Sequence, residues 1–106
     1  MKELLNEIEQ VAKNELARAN AIPPLFNSLH EACGVLAEEL DEAAEALRLT
    51  EEDFGVFFAC VKKNNEKSAY THLEAARNIA LDCATEMVQI AAMAQKAMDG
   101  IKQKEK

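Results

Sequence analysis

Apolar residues recur along most of the chain at steps of three and four, the period of an amphipathic helix. In the first such stretch, about Lys2 to Asn20, Leu4, Leu5, Ile8, Val11, Ala12, Leu16 and Ala19 share one face opposite polar residues. Pro23 and Pro24 stop it, because each ring fixes φ, removes an N–H and pushes the preceding residue out of the helical region. The chain is therefore expected to turn through residues 21–27. Ser28-Leu29-His30-Glu31 is S-x-x-E ahead of a new apolar period, a capping box. It predicts a second helix from Leu29 to about Leu47 or Arg48, stacked on Leu29, Cys33, Leu36, Leu40, Ala43 and Leu47. Thr50-Glu51-Glu52-Asp53 reads as another start, a hydroxyl cap followed by acids in the first turn. Phe54, Phe57, Phe58 and Val61 then give a short amphipathic helix, closed by Lys62-Lys63-Asn64-Asn65. A last, long helix is predicted from about Ser68 to Asp99, with Gly100 as its stop and residues 101–106 fraying.

On a wheel of that last helix, Ile79, Cys83, Met87, Ile90, Ala94 and Ala97 form one apolar stripe. Ala80, Ala84, Val88 and Leu81 widen it to roughly half the circumference at about 100° per residue. An arc that wide implies more than one neighbour, so this helix is expected to be central. The expected architecture is an all-α bundle of three long helices plus one short inserted helix, completed by oligomerisation. At 106 residues it is a single domain spanning 1–106.

Composition agrees with the pattern. Nineteen alanines, only five aromatic residues, three Gly and two Pro favour helices and leave too few turns for a many-stranded sheet protein. The balance of 12 basic to 19 acidic residues, net −7, repels a phosphate backbone and argues against a nucleic-acid polymer as partner. An anionic small molecule could still bind through a bridging cation. Cys33, Cys60 and Cys83 share no metal-ligand spacing and read as reduced, buried, small apolar residues. The opening MKELLNEIEQ is charged from its second residue, unlike a secretory signal. No apolar run approaches the ~18 residues of a membrane span. A cytoplasmic location with no membrane partner is expected.

Candidate chemistry lies in the acids. Glu38, Glu42 and Glu45 follow one another at i, i+4 and i+7 on the second helix, flanked by Glu39 and Asp41. Like charges so spaced destabilise a helix by roughly 0.2–0.5 kcal/mol per pair, and no Lys or Arg joins the stripe before Arg48. Such a stripe is either a solvated face or a platform for a divalent cation, which offsets the repulsion with oxygen ligands. On the last helix Asp82, Glu86 and Gln89 cluster on the wheel, and Glu86 stands at the edge of the apolar arc, where a carboxylate is costly to desolvate. The nearest preceding cation, Arg77, lies on another face. Other chemistries lack their residues: His30 and His72 are not preceded by Glu at i−3, as a di-iron bundle requires, and neither a zinc pattern nor a Gly-rich phosphate loop is present. His30 is expected to be structural or exposed in the capping turn, and His72 to cap or face solvent.

Glu38-Glu39-Leu40-Asp41-Glu42 matches the EExxE motif of the MazG-like, all-α nucleoside triphosphate pyrophosphohydrolases. With Phe26-Asn27-Ser28-Leu29-His30-Glu31 before it and Glu86-Met87-Val88-Gln89-Ile90-Ala91-Ala92-Met93-Ala94 after it, the chain resembles the small MazG-like proteins of phages and prophages. The resemblance covers about residues 20–48 and 82–98. It implies a Mg²⁺-dependent enzyme (Mn²⁺ as a substitute) that splits a nucleoside triphosphate into monophosphate and pyrophosphate. It further implies a metal-facing set of Glu38, Glu39 and Glu42 on the second helix and Glu86 on the last, with Glu39, Glu42, Glu86, Asp82 and Gln89 as the metal ligands. Glu38 or Glu39 would orient the attacking water, and Asn27, His30, Lys62 and Lys63 would contact substrate. Homodimers or homotetramers are implied as well.

Two features depart from that pattern. The second motif of the superfamily is ExxD, and Gln89 stands where its Asp belongs; Asp82, one turn before Glu86, is the nearest replacement charge. The segment between Glu42 and Glu86 is also longer than usual, by the stretch containing Phe54, Phe57 and Phe58. These rings are expected in the core or a subunit interface, with base stacking as the alternative. Lys62 and Lys63 have a plain reading too, as helix-end cations. A catalytically inactive helical interaction or nucleotide-binding protein of the same fold is the competing expectation.

Overall fold

The structure, a computed structural model, describes residues 1–19 and 26–104. These form three helices, α1 (Lys2–Ala19), α2 (Leu29–Lys62) and α3 (Glu66–Lys104), with no strand among the described residues. The all-α expectation holds. The expected turn through Pro23 and Pro24 lies outside the described residues.

Each junction follows from local chemistry. The Ser28 hydroxyl accepts the Glu31 N–H at 3.1 Å, the forward half of the capping box. The Glu31 carboxylate reaches back one residue further than that motif requires: it accepts from the Asn27 side-chain amide at 3.0 Å and from its backbone N–H at 3.5 Å. The α2–α3 turn is a Schellman motif. Asn64 takes the left-handed conformation, φ 54°, the Asn65 N–H reaches the Cys60 carbonyl at 3.0 Å, and the Asn64 N–H reaches that of Val61 at 3.2 Å. Asn65 then caps α3, its side-chain oxygen accepting the Ser68 N–H at 3.2 Å.

The expected short fourth helix is corrected. α2 runs without a break through Thr50, whose hydroxyl donates to the Ala46 carbonyl at 2.8 Å instead of capping a new helix. Arg48 bridges the expected break, bonding Glu45 at 2.7 Å and Glu52 at 2.9 Å. No Gly or Pro lies between residues 35 and 54 to interrupt the helical ladder. Gly100 likewise does not end α3, which continues to Lys104, and no glycine has a positive φ.

Contacts group the chain into two compact units. The first comprises Met1–Leu40 and Glu86–Lys106, the second Asp41–Thr85. In the first unit, Ala12 and Leu16 of α1 share a groove with Ala91 and Ala92 of α3. Ala32 and Ala92 are buried. Lys96 is buried as well, its Nζ 4.5 Å from the centroid of the Phe26 ring. Much of the predicted apolar face of α1 stays outside: Leu4, Leu5, Ile8 and Val11 are exposed.

The second unit is an antiparallel hairpin. Ala43, Cys60 and Ala76 are its buried apolar residues. The register runs from the Cys83 thiol on the Ala43 carbonyl (3.6 Å), through His72 Nδ1 and Asp53 Oδ1 (3.0 Å), to the Cys60 thiol on the Ser68 hydroxyl (3.3 Å). His72 thus bonds across the hairpin, contrary to its expected place at a cap or in solvent. The cysteines are free, yet Cys33 is exposed and Cys83 half-buried; burial holds for Cys60 alone. No helix among the described residues is long and apolar enough to cross a membrane.

Candidate metal centre

Helical spacing brings acids of α2 and α3 together. Glu39 and Glu42 lie three residues apart on α2, hence nearly in line along it, and Glu86 faces them from α3. The three offer carboxylate oxygens that all lie within 4.8 Å of one another. Glu39 and Glu86 are half-buried and Glu42 exposed. Oε2 of Glu39 is sealed from solvent without a hydrogen-bond partner among the described residues, and Oε2 of Glu86 is equally sealed. Burying a carboxylate oxygen without a donor is costly. A cation held among the three would supply the partner that Oε2 of Glu39 lacks.

The donor set restricts the choice of ion. Three carboxylates, with neither imidazole nor thiolate in the group, suit a hard, oxygen-seeking divalent ion rather than zinc or copper. Glu42, the exposed member, keeps the group open to solvent.

The remaining candidates are placed as follows. Glu38 is exposed next to Glu39 in sequence, Asp82 is exposed one turn before Glu86 and outside the three-carboxylate group, and Gln89 is half-buried on α3. Asn27 is engaged with Glu31, and His30 is exposed in the first turn of α2. Lys62 and Lys63 are exposed at the C-terminal end of α2, in the second unit. Glu45, the last acid of the predicted stripe, is tied to Arg48, whose hydrogen bond holds its carboxyl below the ordinary range against a small opposing effect of desolvation. Arg48 is raised further above its already high value by the same bond.

Two polar features escaped the sequence reading. Buried Lys96 falls outside the apolar arc drawn on the last helix, and only its four-residue step from Ala92 could have marked a second buried side. The His72–Asp53 bond joins residues 19 apart, and no spacing rule announces it.

No family model, curated protein or solved structure matches the chain.

Proposed function

We propose that the protein is a Mg²⁺-dependent nucleoside triphosphate pyrophosphohydrolase. The supporting observation is the convergence of Glu39, Glu42 and Glu86 within 4.8 Å across two helices; the MazG-like sequence pattern joins those acids to this chemistry. A bound divalent ion would neutralise the triphosphate and lower the pKa of a coordinated water. Glu39, Glu42 and Glu86 would hold the ion, with Asp82 and Gln89 orienting its remaining ligands. Glu38, exposed beside them, would take the proton of the attacking water. The water oxygen bonds to the α-phosphorus as the bond to the α–β bridging oxygen breaks, and pyrophosphate leaves with that electron pair. Asn27 and His30 would contact the nucleoside; Lys62 and Lys63 stand about 30 Å further along the unbroken α2 than Glu42, at 1.5 Å per residue, and lie outside the site as helix-end cations. The acting form is a homodimer or homotetramer in the cytoplasm, of the phage-related type.

Gln89 favours a second reading. A neutral amide in place of the expected carboxylate weakens the ligand set, as in a related fold that binds nucleotide or partner without turnover. One experiment separates the two: pyrophosphate release over the common NTPs and dNTPs with Mg²⁺ or Mn²⁺, alongside melting curves with increasing metal. Metal-dependent release with a rise in melting temperature is expected. Nucleotide binding without release would favour the second reading, and no response to metal or nucleotide would remove the first.

A further inference from the structure

Three polar residues follow one another along α3 at seven-residue steps: Asp82, Gln89 and Lys96. Burial deepens along the series. Asp82 is exposed, Gln89 half-buried and Lys96 buried, at 6% exposure. Lysine is rarely buried without partners, because its ammonium carries three N–H donors that must be satisfied away from water. Lys96 Nζ lies 4.5 Å from the centroid of the Phe26 ring, and three donors can serve more than one partner.

Lys96 and Phe26 line one cavity of about 220 Å³ between the first turn of α2 and the end of α3. Its polar side chains are Ser28 and Lys96; Leu29, Ala32, Ala97 and Ile101 make the rest of the wall largely apolar. This cavity is in line with two of the candidate metal ligands. Ala32 stands seven residues before Glu39 on α2, and Ala97 eleven residues after Glu86 on α3. Each is therefore within about 20° of its acid around the helix. The same faces of the two helices carry the acids at one level and the cavity at another. Along the helix axes, Ala32 is about 10 Å from Glu39 and Lys96 about 15 Å from Glu86. All four residues belong to the first unit. A nucleotide whose phosphates lie on an ion at the acids, with its sugar toward the start of α2, would bring its base to this cavity.

We propose that Lys96 selects the base of the nucleotide by donating a hydrogen bond to a ring keto oxygen: O6 of guanine or hypoxanthine, O4 of uracil or thymine. Adenine and cytosine carry an amino group at the same place, which donates, so an ammonium facing it sets donor against donor. The inference rests on the nucleotide-hydrolysing reading above and names its substrate class. A phosphate is the poorer occupant, because the wall is mostly apolar, as a flat base prefers, and the phosphates have the ion at the other end. The apolar face of a partner helix is poorer still, since it would offer the buried ammonium no acceptor.

Two substrate pairs isolate the keto group: ITP against ATP, and UTP against CTP. With the native chain and Mg²⁺, the keto member of each pair should be favoured in kcat/KM by about 30-fold or more, the scale of one hydrogen bond from a charged donor. Lys96→Met keeps the length of the side chain and removes its donors. It should make the members of each pair nearly equal, mainly by raising KM for the keto member, with its fold checked by circular dichroism and melting temperature. The native comparison needs no variant and stands whether or not Lys96→Met folds. Inhibition by tripolyphosphate, which has the phosphates and no base, should be the same in both proteins. Equal rates within each pair for the native chain, a preference that survives Lys96→Met, or tripolyphosphate inhibition weakened by that substitution overturns the proposal. Binding of the α,β-methylene analogues of the four nucleotides is measured alongside. Keto-selective binding without turnover of the natural nucleotides defeats the hydrolase reading alone, turnover without selectivity defeats this inference alone, and neither binding nor turnover defeats both.

Discussion

From Glu86 onward α3 buries Ala92 and Lys96, whereas before it α3 buries Ala76 alone. The first unit has a third helix, and Ala12 and Leu16 of α1 meet α3 at Ala91 and Ala92. The second has two helices, and Leu47, Phe58, Tyr70 and Leu81 remain outside. A helix with apolar residues around much of its circumference is thus used differently along its length. The number of neighbours decides which side is buried, and small residues mark the close approaches because their side chains let backbones draw near.

The largest expected effect belongs to the first unit. Glu39→Gln and Glu86→Ala should each lower pyrophosphate release by about 100-fold or more, as expected when a metal-holding carboxylate is lost. Glu39→Gln should also abolish the metal-dependent rise in melting temperature without lowering the metal-free value, since it removes a buried charge whose oxygen lacks a donor. Activity within a few-fold of wild type in both variants would take the chemistry away from this cluster.

Packing in the second unit comes next. Ala76 is fully buried, so a larger side chain there must displace its neighbours. Ala76→Leu should destabilise by about 1–3 kcal/mol, lowering the melting temperature by roughly 5–20 °C in a chain of this size. Ala80→Leu, one turn on and exposed, should be nearly silent. Equal effects at both positions would mean that the hairpin is not packed along this line.

The cross-hairpin bond is smaller. His72 and Asp53 are only partly shielded, at 31% and 22% side-chain exposure, and Asp53→Asn or His72→Ala should each cost about 0.5–1.5 kcal/mol. A double-mutant cycle by urea denaturation should return a coupling within that range. Pyrophosphate release should be unaffected.

Smallest is the exposed Arg48 bridge. Because Arg48 holds the Glu45 carboxyl below its ordinary range, the contribution is fully present above that range and lost as pH falls through the lowered value. Arg48→Ala should slightly reduce helicity at neutral pH, and the remaining acid-induced change should begin at higher pH than in wild type. Circular dichroism between neutral and acidic pH, at low and high salt, reads both effects. A wild-type advantage persisting in high salt would contradict a solvent-screened bridge.

Much of the fold was legible wherever a rule acts within a few residues. Ser28 and Glu31 announced the start of α2, and the apolar period announced three long helices. Legibility failed where one residue type has two uses. Thr50 caps in many helices, yet a hydroxyl inside a helix can bond the carbonyl four residues back, and Arg48 reinforced that choice by joining Glu45 to Glu52. Gly100 stops a helix only when it takes a left-handed conformation, and here it does not. Asn65 and Glu66 carried the start signal for α3, obscured by Ser68 three residues later. Of the site, spacing on each helix could bring Glu39 beside Glu42 and set Glu86 at the edge of an apolar arc. Their approach across two helices is a tertiary contact that spacing along neither helix encodes. The buried side carrying Ala92 and Lys96 was hidden because it exists only where α1 packs.

The turn at Asn64 has a topological consequence. Asn64 is the single non-glycine residue with positive φ among those described, and forcing most other side chains into that region costs about 1–2 kcal/mol. If residue 64 were barred from it, as by a β-branched substitution, α2 and α3 would tend to fuse into one continuous rod. Each half of that rod would then find its antiparallel mate in a neighbouring chain, remaking every contact of the hairpin by domain exchange. Against that exchange stand the asparagine's left-handed dihedral angle, the bonds to the Cys60 and Val61 carbonyls and the Asn65 cap.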